Sequence, residues 1–291
     1  MIAIAGTTKL LGVIGHPVEH SLSPIMHNAA IAHMGMDYVY LPLPVQPENL
    51  ATALTGFAAI NLQGFSITIP HKQAIMPLLA EISPVAQAVG AVNTVWRTDQ
   101  GWSGTNTDVA GFLAPLQARE QDWRQARVAI LGNGGAARAV VVGCEQLGCA
   151  EICIVGRNWE KLQTFQHSWA DSAVASKLSL HRWETLPNLL PTVNLLVNAT
   201  PIGMYPNGDD SPLTLEAQNA LSSLPAGAIA YDLIYTPNPT QFLRQAAAVG
   251  AIAIDGLEML VQQGAAALQL WLQHPPPADV MRQALKRSLG I

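Results

Sequence analysis

The stretch RVAILGNGGAARAV, Arg127 to Val140, constrains the fold of this chain more than any other. An aliphatic run enters Gly132, Gly134 and Gly135 directly, and an alanine-rich helical segment begins at once after them. Glycines there let the backbone turn sharply and approach a pyrophosphate, whose charge is met by free N–H groups and the positive end of the helix. A glycine loop alone is also an ordinary strand-to-helix turn. Here the order strand, loop, helix, strand is complete, because ICIVGRN follows at Ile152 to Asn158, and a dinucleotide site is the expectation.

The second strand separates the two nicotinamide cofactors. An NAD site normally ends it with Asp or Glu, which bonds the ribose 2′-hydroxyl, whereas this chain offers Gly156 and Arg157. Lys161 follows Arg157 by one helical turn, so both cations can flank one phosphate. The pair favours NADP over NAD, although a solvated Arg/Lys pair at a helix start fits the same residues.

Apolar runs bounded by turn residues alternate with helix-period segments along most of the chain, the pattern of parallel sheet wrapped by helices. Strands are expected at Leu11–Ile14, Tyr38–Leu43, Phe65–Ile69, Val128–Leu131, Ile152–Val155, Leu195–Asn198, Ile229–Ile234 and Ala251–Ile254. Helices are expected at Pro24–His33, Glu48–Phe57, His71–Leu79, Val109–Leu116, Ala136–Leu147, Gln241–Val249 and Leu257–Gln273. TVWRTDQGWSG, Thr94 to Gly104, reads as a hairpin that finishes a first domain. A chain of 291 residues is long enough for two domains.

Composition excludes other classes. The formal charge is -5 and no Lys/Arg cluster is present, so a nucleic-acid surface is not expected. No apolar run approaches the roughly 18 residues that cross a bilayer. Cys144, Cys149 and Cys153 are odd in number and complete no metal pattern, so they read as buried thiols of a reducing compartment and no metal is expected. The opening MIAIAGTTKLLGVIGHP does not resemble a signal peptide, and the cytoplasm is the expected location.

Several polar residues fall where chemistry or plain structure could use them. NATPIGM, Asn198 to Met204, leaves the carboxyl end of a strand, and AYDLIYTP presents Tyr235 near another, where it can line a ligand or lie on a domain surface. In GFSITIPHKQ, Ser66 and Thr68 alternate with Ile67 and Ile69, placing Thr68 and Lys72 near one strand end. A lysine in the first turn of a helix opposes the dipole, so Lys72 is either functional or merely solvated. Asp108 suits a partner for Lys72 or a helix N-cap, and Asn93 suits a ligand or a turn.

Taken together, GHPVEHSLSPIMHNAA, GFSITIPHK, GAVNTV, TNTDVAGF, GNGGAARA, NATPIGM and DGLEMLVQQGA, in this order, resemble the shikimate dehydrogenase family over essentially the whole chain. The resemblance implies an α/β protein of two domains, with its active site in the cleft between them. A Rossmann-type NADP-binding domain would cover residues 108–256, and a discontinuous α/β substrate-binding domain residues 1–107 plus 257–291. It implies reversible NADPH-dependent reduction of 3-dehydroshikimate to shikimate in aromatic amino-acid biosynthesis, by a monomer or homodimer.

Lys72 and Asp108 would be the catalytic pair. Ser21 and Ser23 would hold the substrate carboxylate, since residues two apart in an extended segment face the same way. Ser23 also suits the helix cap before Pro24. Thr68, Asn93, Tyr235 and Gln263 match the remaining substrate positions. The stripe Leu257, Leu260, Val261, Gly264, Leu268, Trp271 leaves Gln263 and Met259 on another face of what reads as the final helix. NADP would be held by Gly132, Asn133, Gly134, Gly135, Ala136, Arg157, Asn158, Lys161, Thr200, Ile234, Gly256 and Met259. Many members carry Asn-Arg-Thr where this chain has Gly156-Arg157-Asn158. A quinate-acting relative using NAD, a metabolite sensor on the same fold and a folate-acting dehydrogenase are the competing readings.

Overall fold

The computed structural model describes residues 4–291. They form an α/β structure that divides into two compact units, one running up to Gly111 and resuming over Val261–Ile291, the other Phe112–Leu260.

The first unit begins with β1 (Lys9–Gly15), α1 (Ser23–His33), β2 (Tyr38–Pro44), α2 (Leu50–Ala59) and β3 (Gly64–Ile67). It continues through α3 (His71–Ala74), β4 (Glu81–Ile82), α4 (Pro84–Val89), β5 (Thr94–Thr98) and β6 (Gly101–Thr105). Its six-stranded sheet has the order β2-β1-β3-β5-β6-β4. The sheet is mixed: β1 is parallel to β2 and β3, and β5 runs antiparallel to both β3 and β6. The expected hairpin is β5–β6.

Helix α5 (Asp108–Gln117) carries the chain onward. The second unit contains β7 (Arg127–Leu131), α6 (Gly135–Gln146), β8 (Glu151–Gly156), α7 (Trp159–His167), β9 (Leu178–Arg182) and α8 (Leu186–Leu189). Then come β10 (Leu195–Asn198), α9 (Leu215–Ala220), β11 (Ile229–Asp232), α10 (Gln241–Ala248) and β12 (Ile252–Ile254). These strands form one all-parallel sheet, ordered β12-β11-β10-β7-β8-β9. Read from its other edge this is the doubly wound dinucleotide-binding order, with its switch point between β7 and β10. Central strands of such a sheet are covered on both faces, and Val128, Ile130, Ile152, Ile154, Leu195 and Val197 are fully buried. Helices α11 (Gly256–Leu272) and α12 (Ala278–Leu289) end the chain, so the helix read as final is followed by another.

The other departures have local causes. The helix expected over His71–Leu79 shrinks to α3 and a 3-10 turn, Met76–Leu78, because Pro77 offers no N–H to a longer helix. Strand β3 stops at Ile67, and Ile69, expected to end the strand, is exposed in the turn beyond it. Strand β11 stops at Asp232, two residues before the expected end, where the Asp232 carboxylate accepts the Ile234 N–H and turns the chain out of the sheet.

Candidate active site

Lys72 stands one residue into α3, and its carbonyl accepts the Val92 N–H, so the turn is tied to the segment that carries Asn93. Its Nζ lies 2.6 Å from Asp108 Oδ2. Asp108 opens α5, but its carboxylate does not cap that helix. Its own N–H donates to Asn106 Oδ1 at 2.9 Å, and its free oxygen accepts from Asn93 Nδ2 at 2.8 Å. Asn93 is 2 % exposed and engaged on both ends, with Oδ1 taking the Thr107 N–H at 2.8 Å and the Thr94 hydroxyl at 2.9 Å. Asn106 is anchored in turn by donating to the Ala91 carbonyl. Asn93 is therefore no self-satisfying turn residue. It fixes where the Asp108 carboxylate points, and Asp108 fixes the ammonium. Asn106 and Thr107 complete this arrangement and were not singled out in the sequence, although TNTDVAGF contains both.

Thr68 sits just past β3, its N–H bonded to the Ile14 carbonyl. A Cβ on Gly15 would stand 2.4 Å from Thr68 Cγ2, so only glycine lets β1 end this close to the threonine. Ser21 and Ser23 are not presented as expected. Leu22 between them is helical, with φ -84° and ψ -4°, rather than extended. Ser23 is the first helical residue and not the cap, and its N–H donates to Ser21 Oγ at 3.3 Å. The half-buried Ser21 hydroxyl thus serves the helix start, while the buried Ser23 lies with Ser66 against the Tyr40 hydroxyl, itself fully buried. Gln263 is half-buried on α11.

In the second unit, Gly132 follows β7 with φ +102°, and a Cβ there would stand 2.9 Å from Thr200 Cγ2. This brings the loops after β7 and β10 together at the switch point. A Cβ at Gly134 or Gly135 would meet no protein atom, and the exposed Gly134 caps α6 with no side-chain bond. Asn133 is half-buried and Ala136 exposed in the same turn. The N–H groups opening this twelve-residue helix are therefore left for an anion. Arg157 and Lys161 are exposed beyond β8, where no carboxylate ends the strand. Asn158 is occupied locally, its Oδ1 accepting the Lys161 N–H at 2.9 Å as the cap of α7. The residues present fit a pyrophosphate carrying an additional ribose phosphate.

Two loops are braced by a group that the sequence reading passed over. Asp232 Oδ2 accepts from Thr240 Oγ1 at 2.6 Å, and Oδ1 accepts from Asn198 Nδ2 at 3.0 Å. Asn198 Oδ1 takes the Thr200 hydroxyl at 2.7 Å. Burial raises the Asp232 carboxyl to about 6. Asp232 lies within AYDLIYTP, but nothing in its spacing marks it as the tie between two strand ends. Beyond it, Ile234 is buried and Tyr235 half-buried, and burial pushes the Tyr235 phenol up. Gly256 packs so tightly under this loop that a Cβ would fall 2.3 Å from the Leu233 carbonyl oxygen. Met259, expected with Gln263 on a face apart from the apolar stripe, is buried, whereas Gln263 is half-buried.

A family model described as the shikimate dehydrogenase substrate binding domain matches residues 13–95, and one for the shikimate 5′-dehydrogenase C-terminal domain matches residues 256–286. A relative from Trichormus variabilis, named shikimate dehydrogenase (NADP(+)), is 65% identical over 290 residues, covering 99% of each chain. The chain belongs to the shikimate dehydrogenase family. Solved shikimate dehydrogenases share the fold over nearly the full length. One in complex with NADP+ is 38% identical with a TM-score of 0.89, covering 99% of this chain and 98% of its own. Another, from Thermus thermophilus in complex with NADP(H) and shikimate, is 33% identical with a TM-score of 0.83, covering 97% and 100%. Within this family the unit holding Lys72, Asp108 and Asn93 contains the segment matched as substrate-binding, and the all-parallel unit carries the glycine loop.

Proposed function

We propose that the protein is an NADP-dependent oxidoreductase that interconverts 3-dehydroshikimate and shikimate in aromatic amino-acid biosynthesis. The observation that carries this reading is the Lys72–Asp108 contact, fixed by Asn93, in a member of a family with these named activities.

Bound cofactor would carry the hydride, given up by the reduced form, NADPH, when the ketone is reduced and taken up by NADP+ in the reverse direction. The work of the chain is to bind, orient and move a proton. As the ketone is reduced its oxygen gains negative charge, and the Lys72 ammonium stabilises that charge and delivers the proton from Nζ. Asp108 holds the ammonium in place through Oδ2 while Asn93 holds Oδ1, so little reorganisation accompanies the charge change. Ser21 and Ser23 receive the substrate carboxylate, and Thr68, Tyr235 and Gln263 receive its remaining polar groups, while Asn93, buried and with both ends engaged, acts on the substrate through Asp108. Asn133, Gly134, Gly135 and Ala136 present backbone N–H groups to the pyrophosphate, while Gly132, whose own N–H donates to the Val155 carbonyl at 2.8 Å, turns the chain into that loop. Arg157, Asn158 and Lys161 take the ribose phosphate, while Thr200, Ile234, Gly256 and Met259 border the nicotinamide end. Among the described residues no helix is long and apolar enough to cross a membrane. The three cysteines are free and buried, which supports the cytoplasm as the place of work.

The test is a steady-state panel offering shikimate and quinate, each with NADP+ and NAD+. The reading expects shikimate with NADP+ to give the highest kcat/KM. A preference for quinate with NAD+ would replace it with the quinate reading, and binding of shikimate without turnover would replace it with the sensor reading.

A further inference from the structure

Strand β9 was not foreseen in the sequence, and it brings one more cation to the carboxyl edge of the parallel sheet. Arg182 ends β9 directly beside Gly156, the last residue of β8, in the parallel register. The residues at and just after the two strand ends then exchange side-chain contacts. The Arg157 guanidinium carbon lies 4.9 Å from the centre of the Trp183 ring, and that of Arg182 lies 5.0 Å from the centre of the Trp159 ring. Each arginine is thus held by the tryptophan that follows the other arginine. Trp183 is buried and Trp159 half-buried, so the rings provide a fixed base for two exposed side chains.

Their surroundings differ from those of the ion-paired arginines. Arg124, Arg127 and Arg282 are paired with Asp122, Glu151 and Asp279. Among the described residues, Arg157, Arg182 and Lys161 make no ion pair, although Glu160 lies in the same first turn of α7 and Glu184 follows Trp183. An aromatic face holds a guanidinium without consuming its N–H donors, which remain for a phosphate. Trp159, under Arg182, lies between Arg157 and Lys161 in sequence, so all three cations converge on the opening turn of α7.

We propose that Arg182 is a third cation of the ribose 2′-phosphate site, acting with Arg157 and Lys161 to select NADP over NAD. This rests on the NADP reading above and extends it to a residue on a strand that the nucleotide motif does not include. Its ligand is the phosphomonoester dianion, and the adenine and pyrophosphate are bound independently of it.

The test is calorimetric titration of the full-length wild type, Arg182→Ala and Arg182→Lys with four probes: NADP+, NAD+, 2′,5′-ADP and 5′-AMP. Arg182→Ala is expected to weaken NADP+ and 2′,5′-ADP about tenfold, the loss of one charge-assisted contact at an exposed site, and to leave NAD+ and 5′-AMP unchanged. Arg182→Lys should recover part of the loss. Parallel weakening of all four probes would overturn the proposal in favour of an adenine or structural role, and unchanged binding of all four would overturn it outright. A wild type that binds 2′,5′-ADP no tighter than 5′-AMP would overturn the NADP reading itself. A wild type with the expected preference, matched by Arg182→Ala, would overturn only the role of Arg182. Because Arg182 is exposed, the thermal midpoint should be unaltered in both variants.

Discussion

Lys72 and Asp108 lie 36 positions apart in sequence and meet through a 2.6 Å contact, Nζ to Oδ2, with the other carboxylate oxygen held by Asn93. The lysine comes from a four-residue helical turn and the aspartate from the first residue of α5. Neither position can be reached without the sheet register that places β3, β5 and β6 side by side.

Removing the ammonium tests its role in proton transfer. Lys72→Ala is expected to lower kcat by roughly a hundredfold to ten-thousandfold, the range for a positioned general acid–base, while shikimate still binds in calorimetry. A fall of only a few-fold in kcat would mean that the lysine is not the proton donor.

Asn93 is expected to matter for stability as well as for catalysis. Asn93→Ala leaves the buried Thr107 N–H without its acceptor and Asp108 Oδ1 without its donor, a cost of about 1–3 kcal/mol in denaturant unfolding. Asn93→Asp should cost more near neutral pH, because it replaces the donor with a second negative charge against Asp108. Equal stability of wild type and both variants would contradict the network.

Legibility in the sequence divides along the same lines as the physics. Local chemistry was readable: glycines after an aliphatic run mark β7 and α6, and the Asp-Gln-Gly turn marks the β5–β6 hairpin. Short elements with mixed patterns were not, as in β9, where Ser179 and His181 interrupt the apolar signal, and in α12, whose polar face hides its buried Met281 and Leu285. The site residues could be named one by one, but Asn93 and Asp108 each had an ordinary local role that fitted equally well. What decides between the roles is where their side chains bond, and that depends on pairing between distant strands. The same holds for Asp232, which looks like any strand-end carboxylate until Asn198 and Thr240 are found on it.

Two buried groups should give the protein opposing acid responses. His27 is fully buried, stacked on Tyr40 at 4.2 Å and near Trp271 at 5.7 Å, and burial lowers it to about 3. The unfolded chain takes up its proton near the ordinary histidine value of about 6.5, so the folded state holds fewer protons between these limits. The stability it contributes is complete above that value and is lost as pH falls toward 3, at about 1.4 kcal/mol per pH unit. His27→Gln should therefore show a shallower loss of unfolding free energy from about pH 6.5 downward. Identical slopes would contradict a neutral buried imidazole.

Asp232 works in the other direction. Its carboxyl is raised to about 6 in the folded state and titrates near 3.9 when unfolded, so the folded state holds more protons between those values. Its effect is a fall in stability as pH rises through that window, on the order of 2–3 kcal/mol in total, and constant above it. Compared with wild type, Asp232→Asn should gain relative stability as pH rises from about 4 to about 6. No relative change across that window would show that the buried carboxyl is not raised.

The central claim is tested most directly by following NADPH formation by absorbance when shikimate and NADP+ are given to the wild type and to Lys72→Ala. The account predicts rapid NADPH formation by the wild type, little with NAD+ in place of NADP+, and near-complete loss of rate in the variant. No NADPH formation by folded wild type that binds both ligands, or an undiminished rate in Lys72→Ala, would contradict it.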